Sequence, residues 1–252
     1  MTVQGELISA RGVGRVYTLA GELVHAVRDI DLDINEGRFV ALVGRSGSGK
    51  TTLLNLLAGL DRPTTGQVLF QGKDLAHLGE KQMVDLRRHR VGFVFQSFGL
   101  LPLLSAYENV ELPLRIAGID ARARATRTQE VLEMVGLARR ARHRPYELSG
   151  GEQQRIAIAR AVALKPAVIL ADEPTGELDS VNAHAIFSLF QKMVHDDRMS
   201  IVATTHDQTL LDLADEVYEM HDGQITALRG PGAGSPDDMF KPPAARAGAR
   251  AG

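Results

Sequence analysis

The sequence predicts an α/β fold: a core built on a parallel sheet, an N-terminal antiparallel β subdomain and a helical insert. Three observations carry that prediction. A continuous apolar run, Phe39 to Val43, is short and β-branched, which suits a strand buried on both faces of a parallel sheet. A glycine-rich knot, "GRSGSGKTT" at 44–52, separates that run from leucines at helical spacing. Runs of the buried-strand kind then vanish between Ser97 and about Leu148 and return afterwards, as an insert within an α/β domain would require.

The elements follow in order. Residues 6–18 and 25–34 alternate as strands, and Val27, Ile30, Leu32 and Ile34 form the apolar side of the second with one slip in phase. "NEG" at 35–37 is a turn before "FVALV". "TTLLNLLAGL" at 51–60 reads as a helix on Leu53, Leu54, Leu57 and Leu60, with Gly59 near its end. A loop at 61–66 leads to a short strand at 67–72, and 83–96 passes from a basic helix into a β-rich run ending at Gln96. Two helices, 106–118 and 121–137, fill the insert, the second turning Val131, Leu132 and Val135 inward. The α/β pattern resumes as helix 149–164, strand 167–173, helix 181–197, strand 200–206 and a mixed stretch 209–220. Residues 229–252 are rich in Gly, Pro and Ala without periodicity and are expected to be a disordered tail.

The knot at 44–52 is thus a turn from a buried strand into a helix. Gly44, Gly47 and Gly49 free the backbone to bend, and the new helix adds unpaired amides and a positive dipole end. Together with Lys50 they form a cradle for an anion. Gly44, four residues, Gly49, Lys50, Thr51 is the P-loop spacing, so the core reads as that of a P-loop NTPase. Residues Arg45, Ser46, Ser48 and Thr52 complete the loop. Lys50 then reaches the β- and γ-phosphates of ATP, and the Thr51 hydroxyl is a ligand for Mg²⁺.

Two further strings bear on chemistry. "AVILADE" at 167–173 is a buried strand ending in two acids, where parallel sheets bind ligands. Asp172 fits the second Mg²⁺ position and Glu173 the group that activates water; the plain alternative is an acidic cap on the next helix. "LSGGEQQR" at 148–155 opens a second helix on Ser149, Gly150, Gly151 and Glu152, again an anion-binding terminus or else an ordinary cap.

That octet resembles the signature sequence of ABC-type ATPases, and the other family motifs occur in order over about 6–226, placing the ATPase domain at 6–228 and its helical insert at about 97–160. Gln96 in "FVFQS" matches the Q-loop glutamine, Asp179 in "GELD" the D-loop, and His206 in "ATTHD" the switch histidine. Tyr17 lies where an adenine-stacking aromatic is expected, with an ordinary strand tyrosine as the alternative. "GFVFQSFGLLPLLSAYENVELPL" and "ADEPTGELDS" are most similar to the ATPase subunits of macrolide-exporter and lipoprotein-releasing (MacB/LolD-like) systems, from which Glu177 departs where Asn is usual.

The resemblance implies a head-to-tail pair in which Ser149, Gly150 and Gly151 of one copy cap the γ-phosphate held by Lys50 of the other. It implies that Glu173 polarises water, that His206 contacts the γ-phosphate, and that Gln96 links Mg²⁺ to the insert. It further implies a separate membrane permease, docked on the insert, and a place on the inner face of the cell membrane. Phe98, Leu100, Leu101 and Leu103 are the expected docking patch, unless these side chains pack within the domain.

Composition bounds the alternatives. The 252 residues are 44% hydrophobic but only 5% aromatic, with no Trp, so the core is aliphatic. A net charge of −2 argues against a nucleic-acid partner, and the absence of cysteine excludes disulfides and Cys-ligated zinc. No window reaches the roughly 18 apolar residues of a spanning helix, and the N-terminus has no apolar leader, so a soluble chain is expected. A nucleic-acid ABC ATPase is disfavoured because there is neither a coiled-coil insertion nor a second cassette. A divisome-type regulator of a membrane protein would look the same in sequence. An inactive binding module conflicts with intact Lys50, Asp172, Glu173 and His206.

Overall fold

A computed structural model describes residues 5–206 and 208–229. In chain order the strands are β1 (Glu6–Leu19), β2 (Glu22–Asn35), β3 (Phe39–Val43), β4 (Thr65–Phe70), β5 (Lys73–Asp74), β6 (Val91–Val94), β7 (Val168–Ala171), β8 (Ser200–Thr205), β9 (Glu216–His221) and β10 (Gln224–Arg229). The helices are α1 (Lys50–Leu57), α2 (Glu80–His89), α3 (Ala106–Ile116), α4 (Ala121–Met134), α5 (Gly150–Val162) and α6 (Ser180–Asp197). The tail expected at 229–252 lies outside the described residues, apart from the end of β10.

The first sheet is antiparallel, ordered β2-β1-β4-β5. Its phase slips are bulges. Between the pairs Val13↔Ile30 and Arg15↔Val27, β2 holds one extra residue, and Asp29 there takes a left-handed φ of 46°. The bulge re-aims the strand so that Val27, Ile30, Leu32 and Ile34 all face one core despite the break in alternation.

The second sheet is ordered β10-β9-β3-β8-β7-β6. All its pairings are parallel except β9 with β10. Every residue of β3, β7 and β8 is buried, as continuous apolar strands between two covering layers demand. Alternate side chains enter different cores. Phe39, Ile169, Ala171, Ile201 and Ala203 join helices α3 to α6, with Phe39, Phe187 and Phe190 at its aromatic centre. Val40, Leu42, Val168, Leu170 and Val202 join α1 and the antiparallel sheet.

No strand lies between β6 and β7, where α3, α4 and the start of α5 pack on one another. Val131, Leu132 and Val135 are buried there, as their spacing predicts. Two expectations are corrected. The leucine helix α1 stops at Leu57 rather than Leu60, because the chain turns at Gly59 (φ 63°), and Leu60 is half exposed. The patch at 98–103 is divided: Leu100 packs against the core, whereas Leu101 and Leu103 are 45% and 82% exposed.

Candidate functional site

Parallel register decides which side chains meet. Val43 stands opposite Thr205, Ala171 opposite Ala203, and Val94 opposite Ala171. Strands β3, β6, β7 and β8 therefore end along one edge, and the chain leaves them there as residues 44–49, 95–97, 172–173 and 206. That edge is where open α/β sheets bind ligands.

The 44–52 loop is held from behind by the antiparallel elements. Gly49 has φ 100°, and a Cβ on it would collide with the Ala26 carbonyl, so only glycine closes this turn without strain. At Gly44 a side chain would strike the Met220 carbonyl and the Ser48 hydroxyl. The β9–β10 turn supports the loop from the same side, the Gly223 amide donating to the Ser48 carbonyl at 3.0 Å. Lys50 is only 4% exposed, and its ammonium donates to the carbonyls of Gly44 (2.8 Å) and Arg45 (3.1 Å).

Two observations fit this loop to a phosphate. Helix α1 begins without any side-chain cap, so its first amides are left for a ligand. The Ser48 hydroxyl is buried with no hydrogen-bond partner among the described residues.

Opposite the loop, Asp172 Oδ1 accepts from the hydroxyls of Thr51 (3.0 Å) and Thr204 (2.9 Å). Thr51 and Asp172 thus offer neighbouring hard oxygen donors, the ligand type Mg²⁺ prefers. Glu173 has φ 42°, unusual for a residue with a Cβ. Its amide donates to the Thr204 hydroxyl at 2.7 Å, which fixes the bend. The Glu173 carboxylate lies between the Lys50 ammonium and the His206 ring, Oε1 3.5 Å from Lys50 Nζ and Oε2 3.4 Å from His206 Nδ1. A cavity of about 160 Å³ opens beside Glu173, Thr205 and His206. A Cβ on Gly176, in the loop that follows Glu173, would crowd the Gln96 amide nitrogen, so the two segments lie side by side. An anion cradle, hard oxygen ligands and a carboxylate next to a histidine thus share one edge, a set suited to phosphoryl chemistry.

Not every expected residue meets at this edge. Ser149 caps α5, its hydroxyl accepting from the Glu152 amide at 3.3 Å, while Glu152 Oε2 accepts from the Ser149 amide at 2.8 Å. Gly150 lies beside Leu178 and Phe98, and Gly151 against Asn182, so this end of α5 abuts the start of α6. Among the described residues no hydrogen bond or ion pair joins 149–152 to 44–52. Asp179 is the N-cap of α6, accepting from the Asn182 amide at 2.9 Å. Tyr17 donates to Asp61 at 2.6 Å, and the Arg15 guanidinium lies 4.4 Å from its ring centroid, covering one face. Burial would raise the Asp61 carboxyl, but the Tyr17 hydroxyl, the Arg62 amide and Arg15 together hold it below its ordinary range.

Sequence reasoning missed Thr204, which ties Asp172 to Glu173, and the supports Ala26 and Gly223. The only trace of Thr204 in the sequence is its place two residues before His206 at the end of a buried strand.

The cap yields a prediction. The Ser149 amide holds the Glu152 carboxyl below the ordinary glutamate value of 4.5. A depressed folded value means that this stabilisation is present above pH 4.5 and is lost as pH falls through the lower folded value. Ser149→Ala removes the reciprocal hydroxyl and is expected to cost about 1 kcal/mol in urea unfolding at neutral pH. Unchanged stability would show that Ser149 does not hold the helix end.

The comparisons with known proteins agree with this geometry. The family model described as "ABC transporter" matches residues 27–176. An uncharacterized ABC transporter ATP-binding protein of Thermotoga maritima is 45% identical over 86% of this chain and 92% of its own. The macrolide export ATP-binding/permease protein MacB 1/2 of Paracoccus denitrificans is 45% identical over 92% of this chain. The match spans 34% of that larger protein. Among solved structures, the dimeric post-hydrolysis state of the ATP-binding cassette MJ0796 bound to ADP and Pi superposes with a TM-score of 0.82 at 39% identity. It covers 89% of this chain and 98% of that one.

Proposed function

This chain belongs to the ABC transporter family as an ATP-hydrolysing cassette, and we propose that two copies of it close head to tail around two ATP molecules to drive a separate membrane permease. The observation that carries this reading is a division of labour within one chain. Lys50, Thr51, Asp172, Glu173 and His206 converge at one edge, while among the described residues the end of α5 at 149–152 makes no hydrogen bond or ion pair to them and is open to serve another copy. The dimeric cassette among the solved neighbours supports the pairing.

Within each site, Lys50 exchanges its two carbonyl partners for the β- and γ-phosphates, and the uncapped amides of α1 share their charge. Thr51 and Asp172 would hold Mg²⁺, assisted by Gln96; when bound, that ion neutralises phosphate charge. Glu173 accepts the proton of the attacking water, with Thr204 holding its backbone. His206 contacts the γ-phosphate and steadies Glu173. Tyr17 offers the face not covered by Arg15 to the adenine. Ser149, Gly150, Gly151 and Glu152 of the second copy, with Asp179 beside them, complete the site. We read 6–228 as one ATPase domain with its insert at about 97–160.

Among the described residues no helix is long and apolar enough to cross a membrane. The name of one longer relative joins ATP binding to a permease, which supports a permease as the partner, and in this reading the chain sits at the inner membrane face through it. Export is the direction that name favours. Within the 98–103 patch, Leu101 and Leu103 are the exposed apolar side chains offered for docking.

Burying a leucine contributes about 1.5–3 kcal/mol, so Leu103→Glu is expected to weaken co-purification with the permease by about tenfold or more. ATP affinity of the isolated chain should stay within about twofold, since a docking residue touches no nucleotide. Retained assembly would place the docking surface elsewhere, and lost ATP affinity would show that Leu103 supports the nucleotide site.

A further inference from the structure

The N-terminus of α5 contains a charge that its proposed role does not explain. A phosphate is to be received there, yet the first turn carries the Glu152 carboxylate. Such a carboxylate stabilises a helix end standing alone, because it complements the dipole. Toward an arriving γ-phosphate it is a like charge and repels.

The structure shows where that charge goes. Glu152 divides its two oxygens: Oε2 accepts from the Ser149 amide at 2.8 Å, and Oε1 lies 3.3 Å from Arg140 Nε. Arg140 belongs to the turn after α4, at 138–140, and is itself oriented by His143, whose Nε2 is 3.1 Å from its Nη1. The pair is asymmetric in exposure, Arg140 being open to solvent on one side while Glu152 is largely covered. Arg155, one turn along α5, also acts on Glu152 through space but forms no ion pair with it among the described residues.

We propose that Arg140 is a positioning residue for the phosphate-receiving end of α5: it cancels the charge of Glu152 and turns that carboxylate away from the incoming nucleotide. This rests on the assignment of residues 149–152 to the partner's ATP, and it adds a residue outside every motif read from the sequence. The turn at 138–140 thereby becomes part of the nucleotide response. Any rearrangement within the insert that separates Arg140 from Glu152 exposes a negative charge to the γ-phosphate and disfavours closure.

The test is a double-mutant cycle in the full chain, with Arg140→Gln, Glu152→Gln and both together. Steady-state ATP hydrolysis gives KM and kcat, and ATP-dependent dimerisation is read in a Glu173→Gln background. Arg140→Gln should raise the apparent KM for ATP by about two- to fivefold, the scale of one charge near an exposed helix end. Its effect on melting temperature should be small, because a pair with one solvent-open partner contributes little to stability. With Glu152→Gln already present there is no charge to cancel, and the same change should move KM by less than about 1.5-fold.

Equal effects in both backgrounds, or none in either, overturn the inference and leave the proposed function standing. A rise in KM that follows a fall in melting temperature, and persists in the double variant, marks Arg140 as merely structural and also overturns it. If the Glu173→Gln chain forms no dimer at saturating ATP and Mg²⁺, the assignment of 149–152 falls, and this inference with it.

Discussion

Glu173→Gln is expected to reduce ATP turnover by about 10²–10⁴-fold, the contribution typical of a general base, while nucleotide still binds. The substitution keeps the side-chain shape and removes only the charge and basicity. In the parent, Glu173 Oε1 lies 3.5 Å from the Lys50 ammonium, so the carboxylate competes with phosphate for the same cation. The amide does not compete, and ATP affinity should stay equal or rise. Closure without chemistry then traps the pair: with ATP and Mg²⁺, size-exclusion chromatography with light scattering should show a dimer for the variant and mainly monomer for the parent. Turnover at the parental rate would assign the base to another group.

Lys50→Ala acts one step earlier. The ammonium is nearly buried and makes two hydrogen bonds to loop carbonyls, so its position is fixed before ATP arrives. Hydrogen bonds to charged groups are worth about 1.5–3 kcal/mol each, and losing two phosphate contacts predicts at least about 10²-fold weaker ATP binding. Hydrolysis should fall below detection at ordinary ATP concentrations. The fold should persist, because the main-chain hydrogen bonds of the loop, such as Ser48 to Arg45 and Gly223 to Ser48, do not involve the lysine side chain. Calorimetric titration with ATP, beside circular dichroism of the variant, checks both halves. Undiminished affinity in a folded variant would remove Lys50 from the phosphate site.

How much of this was legible in the sequence depended on whether the cause was local. "FVALV", the glycine spacing at 44–49 and the acids after "AVILA" each declare themselves within a few residues, because a buried strand and a tight turn restrict composition directly. The cap at Ser149 is local in the same way. Distant approaches left no such trace. Nothing near Gly49 announces that Ala26 presses on it, and nothing near Tyr17 announces Asp61. The bulge at Asp29 was visible only as a slip in phase. Helix α1 ran short because periodicity continued to Leu60 after the backbone had turned at Gly59. The patch at 98–103 divided because composition cannot tell which of its three leucines faces the core. Thr204 and Arg140 were missed for one reason: each acts on a motif from a different segment, and pairing across segments is a property of the fold.

The division of the apolar interior between the two faces of the parallel sheet has a mechanical consequence. Helices α3 to α5 share one core and α1 the other, and the strands β3, β7 and β8 are the plate between them. A load applied to the insert is therefore borne by a stiff, hydrogen-bonded layer rather than by liquid-like side chains. Such a plate tilts more readily than it bends, since close-packed cores resist compression. A displacement at one end of this layer would therefore be expected to reach the other as rotation of whole blocks rather than as compression of either core.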